Sequence, residues 1–141
     1  MNPPLRNKDD QEALLAGLLD GTIDMIATDH APHSAEEKAK GLRGSAMGVV
    51  GIETAFPLLY TYLVETGKMP LEMLIDRMAD APRRRFRIDG GMQVGDKAAV
   101  TVFDLHAREK IDPNNFLSKG HATPFEGWEV HAVCRLSLIH I

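Results

Sequence analysis

Three side chains that can bind a metal ion or move a proton stand close together in the stretch IATDHAPHSAEEK. They are Asp29, His30 and His33, with Pro32 between the two histidines. A carboxylate can hold a metal ion and take a proton from a metal-bound water, and histidine does either near neutral pH. An aspartate in this position is equally typical of a turn cap. Spacing alone therefore leaves the role of Asp29 open.

A zinc site needs more ligands than this stretch supplies. Catalytic zinc is usually held by three protein ligands and structural zinc by four. The two histidines lie in a loop that Pro32 interrupts, and no second cluster of Cys or His is nearby. We do not expect this segment to bind a metal ion on its own. Three further histidines fall later in the chain, where we expect surface or hydrogen-bonded roles: His106, His121 and His131.

Two other stretches could contact a ligand. In NPPLR, two prolines fix an extended backbone and hold Asn2, whose amide offers both a donor and an acceptor. The alternative is a plain lead-in to a helix with Arg6 paired to a carboxylate, and this stretch alone favours that alternative. In SAMGVVG, residues 45–51, glycines precede a predicted helix. Backbone N–H groups there could meet an anion, although the signal is weak.

The elements around the Asp-His stretch follow an α/β pattern. NKDDQEALLAGLLDG predicts a helix capped by Asn7 and ended by Gly21. The apolar run at residues 23–28 predicts a buried strand. Asp29 then lies at the carboxyl end of a strand, where α/β barrels carry their chemistry. Two further helices are predicted at about 51–65 and about 70–79.

The pattern changes after Pro82. GGMQVGDKAAVTVFDL combines glycine turns with alternation around Val100 and Val102, which predicts a hairpin of strands. TPFEGWEVHAVCR predicts another turn and strand. We therefore expect an α/β part over residues 1–82 and a small β unit over residues 83–135. The basic cluster RRRFR predicts a solvated helix end rather than a phosphate site.

The composition excludes several classes of protein. Hydrophobic residues make up 44% and charged residues 26% of the 141, which is typical of a globular rather than a disordered chain. The net charge of -4 argues against a nucleic-acid binder, and the apolar runs are too short to cross a bilayer. The single cysteine, Cys134, cannot form an internal disulfide, which favours a cytoplasmic location.

Both ends of the sequence look cut. MNPPLR begins with no lead-in strand, so Met1 is interpreted as an internal methionine. The tail LSLIHI, residues 136–141, matches one reading frame of the mosaic-end adapter used in transposon-based sequencing libraries. We therefore predict that this tail is not native and exclude it from the predicted fold.

Together, NPPLR, ATDHAPH and AMGVVGIETAFPL closely resemble the dihydroorotase family of the amidohydrolase superfamily. The resemblance extends from Met1 to about Arg135 and includes GGMQVGD and TPFEGWEV. It implies the C-terminal part of a (β/α)8 TIM-type barrel, with the predicted strand as its eighth, plus a small β-sandwich-like unit. Related hydantoinases, dihydropyrimidinases and allantoinases usually differ at the Asn of the first motif and around the Asp-His.

The resemblance also implies roles for single residues. Asp29 would be the catalytic carboxylate that contacts zinc and carries the proton of the bridging hydroxide. Asn2 and His33 match substrate-binding side chains, and Met47 with Gly48 match a loop whose backbone touches the substrate. The implied reaction is the reversible, zinc-dependent interconversion of N-carbamoyl-aspartate and dihydroorotate in pyrimidine biosynthesis.

The family's other metal ligands have no match here. These are a His-x-His, a modified lysine or carboxylate, and further histidines, so we expect the chain to be inactive alone. One alternative is a non-catalytic partner of aspartate carbamoyltransferase, disfavoured because Asp29, Asn2 and His33 are retained. The other is a hydantoinase or allantoinase relative, which Asn2 disfavours. The resemblance gives His30 no catalytic role. The resemblance is also compatible with a homo-oligomer.

Overall fold

The computed structural model describes residues 3–4 and 6–139, with the α-helices before residue 87 and the strands after it. The helices are α1 (Lys8–Asp20), α2 (Ala35–Lys38), α3 (Gly41–Gly44), α4 (Ala55–Leu59), α5 (Leu71–Ile75) and α6 (Ala81–Phe86). Three further helical turns are π-helical at Tyr60–Val64 and Asp76–Asp80 and 3-10 at Pro113–Asn115. The strands are β1 (Val100–Lys110) and β2 (Glu129–Leu138). No helix within the described ranges is long and apolar enough to cross a membrane.

The first predicted helix is confirmed together with both of its caps. The side chain of Asn7 accepts a hydrogen bond from the N–H of Asp10 at 2.9 Å. Gly21 ends the helix in the left-handed region, with φ of 86°. No residue of α1 is buried, and Leu14 keeps 56% of its surface exposed. The apolar stripe of this helix consists of Leu14, Leu15, Leu18 and Leu19, and it is exposed at Leu14 and Leu19 and half-buried at the other two.

The predicted strand at residues 23–28 does not form. Residues 24–28 form no strand, helix or turn. The N–H of Ile26 donates to the carbonyl of Arg77 at 3.0 Å rather than to a strand. One parallel bridge follows, between His30 and Val49. A parallel strand is stabilised by ladders to its neighbours, and the described residues supply only this bridge.

The predicted helix at 51–65 begins later than expected. Its first α-helical residue is Ala55, and after Leu59 it continues as a π-helical turn to Val64. Gly67, with φ of 71°, follows the helix end.

The next helical run is longer than predicted. It begins after Pro70, passes through α5 and a π-helical turn, and ends at Arg87, whose φ is 56°. Pro82 lacks an N–H, and in an α-helix its ring would clash with the carbonyl four residues earlier. The wider π-helical turn just before α6 relieves that clash. The boundary expected after Pro82 therefore falls inside a helix, whereas RRRFR is a helix end as predicted.

The β unit is smaller than a sandwich among the described residues. β1 and β2 form a two-stranded antiparallel sheet in which Val100 pairs with Leu138 and Lys110 with Glu129. Residues 136–138, which the predicted fold excludes, pair with residues 100–102 of β1. The adapter origin of the tail stays a prediction.

The carboxylate of Asp104 stabilises a bulge in this sheet. Asp104 accepts hydrogen bonds from the N–H groups of His106 and Ala107 and pairs with Arg135 at 3.1 Å. Arg135 and, after it, the two N–H groups hold the pKa of Asp104 below its usual range. On the other strand Ala132 is buried with φ of 65°, which is where the register shifts.

The core is small for the length of the chain. Leu58, Ile111 and Val130 form a buried cluster, with Phe116 and Phe125 packed against it. The accessible surface is 10237 Å², whereas a compact 15.5 kDa protein exposes about 7,200 Å². Much apolar surface is therefore uncovered in the chain by itself.

Arg77 joins the segment before the Asp-His stretch to both neighbouring helical elements. Its Nε and Nη2 donate to the carbonyl of Leu18, at 3.3 and 3.2 Å, and its Nη1 donates to the carbonyl of Asp24. Its side chain is only 17% exposed. One guanidinium thus satisfies carbonyls at the end of α1 and in the extended segment.

We predict that Arg77→Lys lowers the free energy of unfolding by roughly 1–2 kcal/mol, because an ammonium cannot reproduce the fork of donors. The measurement is urea denaturation followed by circular dichroism. Arg85→Lys, at an exposed position of α6, is the matched control and should change stability little. Equal effects of the two substitutions would show that the guanidinium N–H donors of Arg77 do not contribute to the free energy of unfolding.

Candidate functional site

Asp29 occupies an unusual backbone conformation at an exposed position. Its φ is 46°, in the left-handed region that non-glycine residues seldom adopt. Such strain is found preferentially at functional sites, and Asp tolerates it better than most side chains. The residue directly precedes the bridge between His30 and Val49. The turn out of the extended segment therefore presents this carboxylate to solvent.

His33 contacts the loop that the resemblance assigned to substrate binding. Its Nε2 lies 2.9 Å from the carbonyl oxygen of Met47, and its Nδ1 lies 3.7 Å from a carboxylate oxygen of Glu37. A carbonyl only accepts, so the hydrogen-bond network assigns the Nε2 proton as the donated one. The structure thus brings His33 and Met47 together.

Gly48 allows this contact. Its φ is 130°, and a Cβ built on it would lie 2.4 Å from the Cβ of Ala31 and 3.4 Å from Cδ2 of His33. Real Cβ atoms do not approach that closely, so only glycine fits without a shift of the Asp-His loop. His33, Met47 and Gly48 therefore form one contact cluster, whose first member lies four residues after Asp29.

Lys38 fastens the same loop from the other side. Its half-buried ammonium donates to the carbonyls of Ala46 at 2.9 Å and Gly48 at 2.8 Å. α2, which ends at Lys38, has a capping box in which Ser34 and Glu37 each accept from the other's N–H. The S-x-x-E spacing is a recognised signal for such a box and could have revealed α2 from the sequence.

His30, to which the resemblance gave no catalytic role, has several polar contacts. Its Nδ1 accepts from the N–H groups of Gly51 at 3.2 Å and Ile52 at 3.3 Å. Its Nε2 lies 3.5 Å from Oγ of Ser118, which donates to Glu53 at 2.5 Å. His30 and Ser118 are 88 residues apart in sequence, so no local pattern signals this contact.

Glu53 anchors the loop around Ser118 through three bonds. One carboxylate oxygen accepts from the N–H of Leu117 at 2.8 Å, and the other accepts from the N–H and hydroxyl of Ser118. Burial raises the pKa of Glu53, but the Ser118 hydroxyl and the two N–H groups outweigh it. The pKa of Glu53 is therefore lowered, and the carboxylate is ionised at neutral pH.

The following loop packs directly on the Asp-His stretch. Gly120 is buried, and a Cβ on it would lie 2.5 Å from both the carbonyl carbon of Pro32 and the carbonyl oxygen of His33. The N–H of Val50 donates to the carbonyl of Ala122 at 2.8 Å. The loop at 117–122 therefore covers the backbone that carries His33.

The described residues do not make a zinc site by themselves. They contain no group of three or more His, Cys, Asp or Glu side chains placed to hold a metal ion. Asp29 is a single carboxylate, and His33 is turned toward Met47. Asn2 lies outside the described residues, so its expected place beside the substrate stays a prediction.

The chain matches proteins of one name at high identity. It is 60% identical over 129 residues to a dihydroorotase of Anoxybacillus flavithermus and 54% identical over 140 residues to one of Shouchella clausii. By sequence, the chain matches part of proteins named dihydroorotase. The matches cover 91% and 99% of this chain but only 30% and 33% of those relatives. No family model matches the chain.

Solved structures extend the likeness to proteins of two further names. A D-hydantoinase (dihydropyrimidinase) from Thermus sp. matches 99% of the chain with a TM-score of 0.86 and 29% identity. An L-hydantoinase (dihydropyrimidinase) from Arthrobacter aurescens matches 96% with a TM-score of 0.86 and 32% identity. The chain spans 32% of each of those proteins. These amidohydrolases share the arrangement of elements described above.

We predict that Gly48→Ala lowers the free energy of unfolding by at least about 1 kcal/mol more than Gly41→Ala. Both glycines have positive φ, but a Cβ at Gly41 meets nothing within 4 Å, whereas one at Gly48 overlaps Ala31. The difference between the two variants, measured by urea denaturation, reports the overlap with Ala31 together with the greater strain of Ala at φ of 130° than at φ of 72°. Equal losses would show that the loops do not approach as described.

We predict that Glu53→Gln destabilises the chain at pH 7 and has little effect in acid. Because the pKa of Glu53 is lowered by folding, its carboxylate stabilises the fold above the ordinary Glu range. That stability is lost as the pH falls through the lowered folded-state pKa. The measurement is the free energy of unfolding against pH, with exposed Glu126→Gln as control. A pH-independent difference from the control would contradict the prediction.

Proposed function

We propose that this chain is the C-terminal part of a dihydroorotase, which interconverts N-carbamoyl-aspartate and dihydroorotate. The observation that carries the proposal is the cluster of His33, Met47 and Gly48 just after Asp29. It occurs in a sequence that is 54–60% identical to proteins named dihydroorotase. The proposal concerns the longer protein, because the chain spans about a third of those relatives.

Asp29 is the proposed proton carrier. When the ring of dihydroorotate opens, a water molecule adds to the ring amide carbon, the C–N bond breaks, and the departing nitrogen gains a proton. A carboxylate at the mouth of the loop can take the proton from the attacking water and deliver it to that nitrogen. Ring closure runs through the same transfers in reverse.

His33 and the backbone at Met47 and Gly48 are proposed to position the substrate. In the chain as described, Nε2 of His33 is occupied by the Met47 carbonyl, so a substrate that uses this nitrogen must compete with that bond. We propose Asn2 as a further substrate contact. Zinc is proposed as the cofactor of the longer protein, with Asp29 as one ligand and the others outside this chain. A cytoplasmic location stays a prediction.

An apolar groove supports a role for further protein around this chain. It has a volume of about 420 Å³ and runs between the extended segment before Asp29 and α4. Its lining includes Ile26, Val49, Leu58, Leu63 and Trp128. We propose that the rest of the barrel covers this groove and the apolar stripe of α1, which explains why the chain exposes so much surface.

The test is a chimera in which the 129 aligned residues of this chain replace their counterparts in the Anoxybacillus flavithermus dihydroorotase. We expect the chimera to turn over dihydroorotate and the isolated chain to show no turnover. Asp29→Asn in the chimera should lower kcat by roughly 10²–10⁴-fold, the range for a lost general acid–base group. Asp9→Asn, on exposed α1, is the control. Turnover by the isolated chain would overturn the proposal.

Two alternatives predict other outcomes. The hydantoinase structures at 29% and 32% identity favour a relative that acts on hydantoins, so the chimera should be assayed on both substrates. Turnover of hydantoin in preference to dihydroorotate would support that relative. A folded chimera without turnover, bound to aspartate carbamoyltransferase or to further copies of itself, would support a non-catalytic partner.

A further inference from the structure

We propose that His30 is a positioning residue that holds Asp29 in its left-handed conformation by fastening the Asp-His loop to the start of α4. The inference rests on the proposed function, because it gives a role in that site to a residue with no assigned one. His30 does not touch the substrate in this account. It acts through the residue before it.

The contacts of His30 fix the direction of its ring. Nδ1 accepts from two consecutive backbone N–H groups, those of Gly51 and Ile52. The neutral ring then carries its proton on Nε2, which faces Oγ of Ser118 at 3.5 Å. Because Ser118 uses its own proton to donate to Glu53, its oxygen is left to accept from His30. Both ring nitrogens therefore have a partner of the right polarity.

Glu53, at the other end of this series of contacts, is held by three hydrogen bonds. The carboxylate of Glu53 accepts two N–H groups and a hydroxyl from residues 117–118. Two residues later, Gly120 lies against the backbone of Pro32 and His33. The imidazole is thus held between α4, which begins two residues after Glu53, and a loop that also covers the far side of the Asp-His stretch.

Asp29 depends on this arrangement because its conformation is strained. A non-glycine residue with φ of 46° costs free energy and persists only where its surroundings enforce it. Its carbonyl side is joined to His30, whose ring and backbone are both fastened, the backbone through the bridge to Val49. Loss of the ring contacts would let the Asp29–His30 peptide relax and move the carboxylate. A displacement of about 1 Å can cost roughly a hundredfold in rate.

The test compares three substitutions in the active chimera. His30→Ala removes both ring contacts, and we expect kcat to fall roughly 10–100-fold with KM changed less than about threefold. His30→Asn places an oxygen where Nδ1 lies and should recover most of kcat. His30→Gln extends its amide toward the position of Nε2 and should recover little. His106→Ala, at an exposed histidine of β1, should leave kcat and KM unchanged.

A second measurement needs no activity. In the 141-residue chain, amide hydrogen exchange at Gly51 and Ile52 should accelerate in His30→Ala and His30→Gln and return toward the starting rate in His30→Asn. A chimera without turnover would count against the proposed function, whereas the exchange pattern still decides whether His30 fastens the loop. Unchanged exchange in His30→Ala, or unchanged kcat in an active chimera, would overturn the positioning role. Equal kcat in the Asn and Gln variants would do the same.

Discussion

The close backbone approach between the Asp-His loop and its neighbours is the constraint on which the site depends. Three glycines make it possible. A Cβ on Gly51 would lie 2.8 Å from the carbonyl oxygen of Thr28. A Cβ on Gly48 would lie 2.4 Å from the Cβ of Ala31, and a Cβ on Gly120 would lie 2.5 Å from the carbonyl carbon of Pro32. With the backbones this near, the N–H groups of Gly51 and Ile52 reach His30, and the carbonyl of Met47 reaches His33. Side-chain positions in the site are therefore set largely by backbone contacts.

Local signals in the sequence predicted the elements that depend on local interactions. The helix between Asn7 and Gly21 is marked in the sequence by its two caps. The helix end at RRRFR is marked by the point at which the helical periodicity stops. The strand at residues 23–28 was predicted from its apolar composition, but a strand forms only with partners to pair with. The pairing of residues 136–138 with β1 is a long-range contact. The inferred origin of the tail gives no information about such a contact.

The candidate site divides in the same way. The grouping of Asp29, His33, Met47 and Gly48 followed from resemblance of whole motifs, and the structure brings the last three together. The contacts of His30 with Ser118 and Glu53 join parts of the chain that no motif connects. The π-helical turn before Pro82 was also missed, because a proline at a predicted helix end gives no sign that the helix continues.

The central claim is that this chain preassembles one part of an active site whose remaining groups lie elsewhere. It is tested most directly by mixing the chain with the Anoxybacillus flavithermus dihydroorotase from which the matching 129 residues have been removed. Turnover of dihydroorotate is measured against the ratio of the two pieces. The account predicts activity that saturates at one to one and is absent from either piece alone. A stable one-to-one complex without turnover would contradict it.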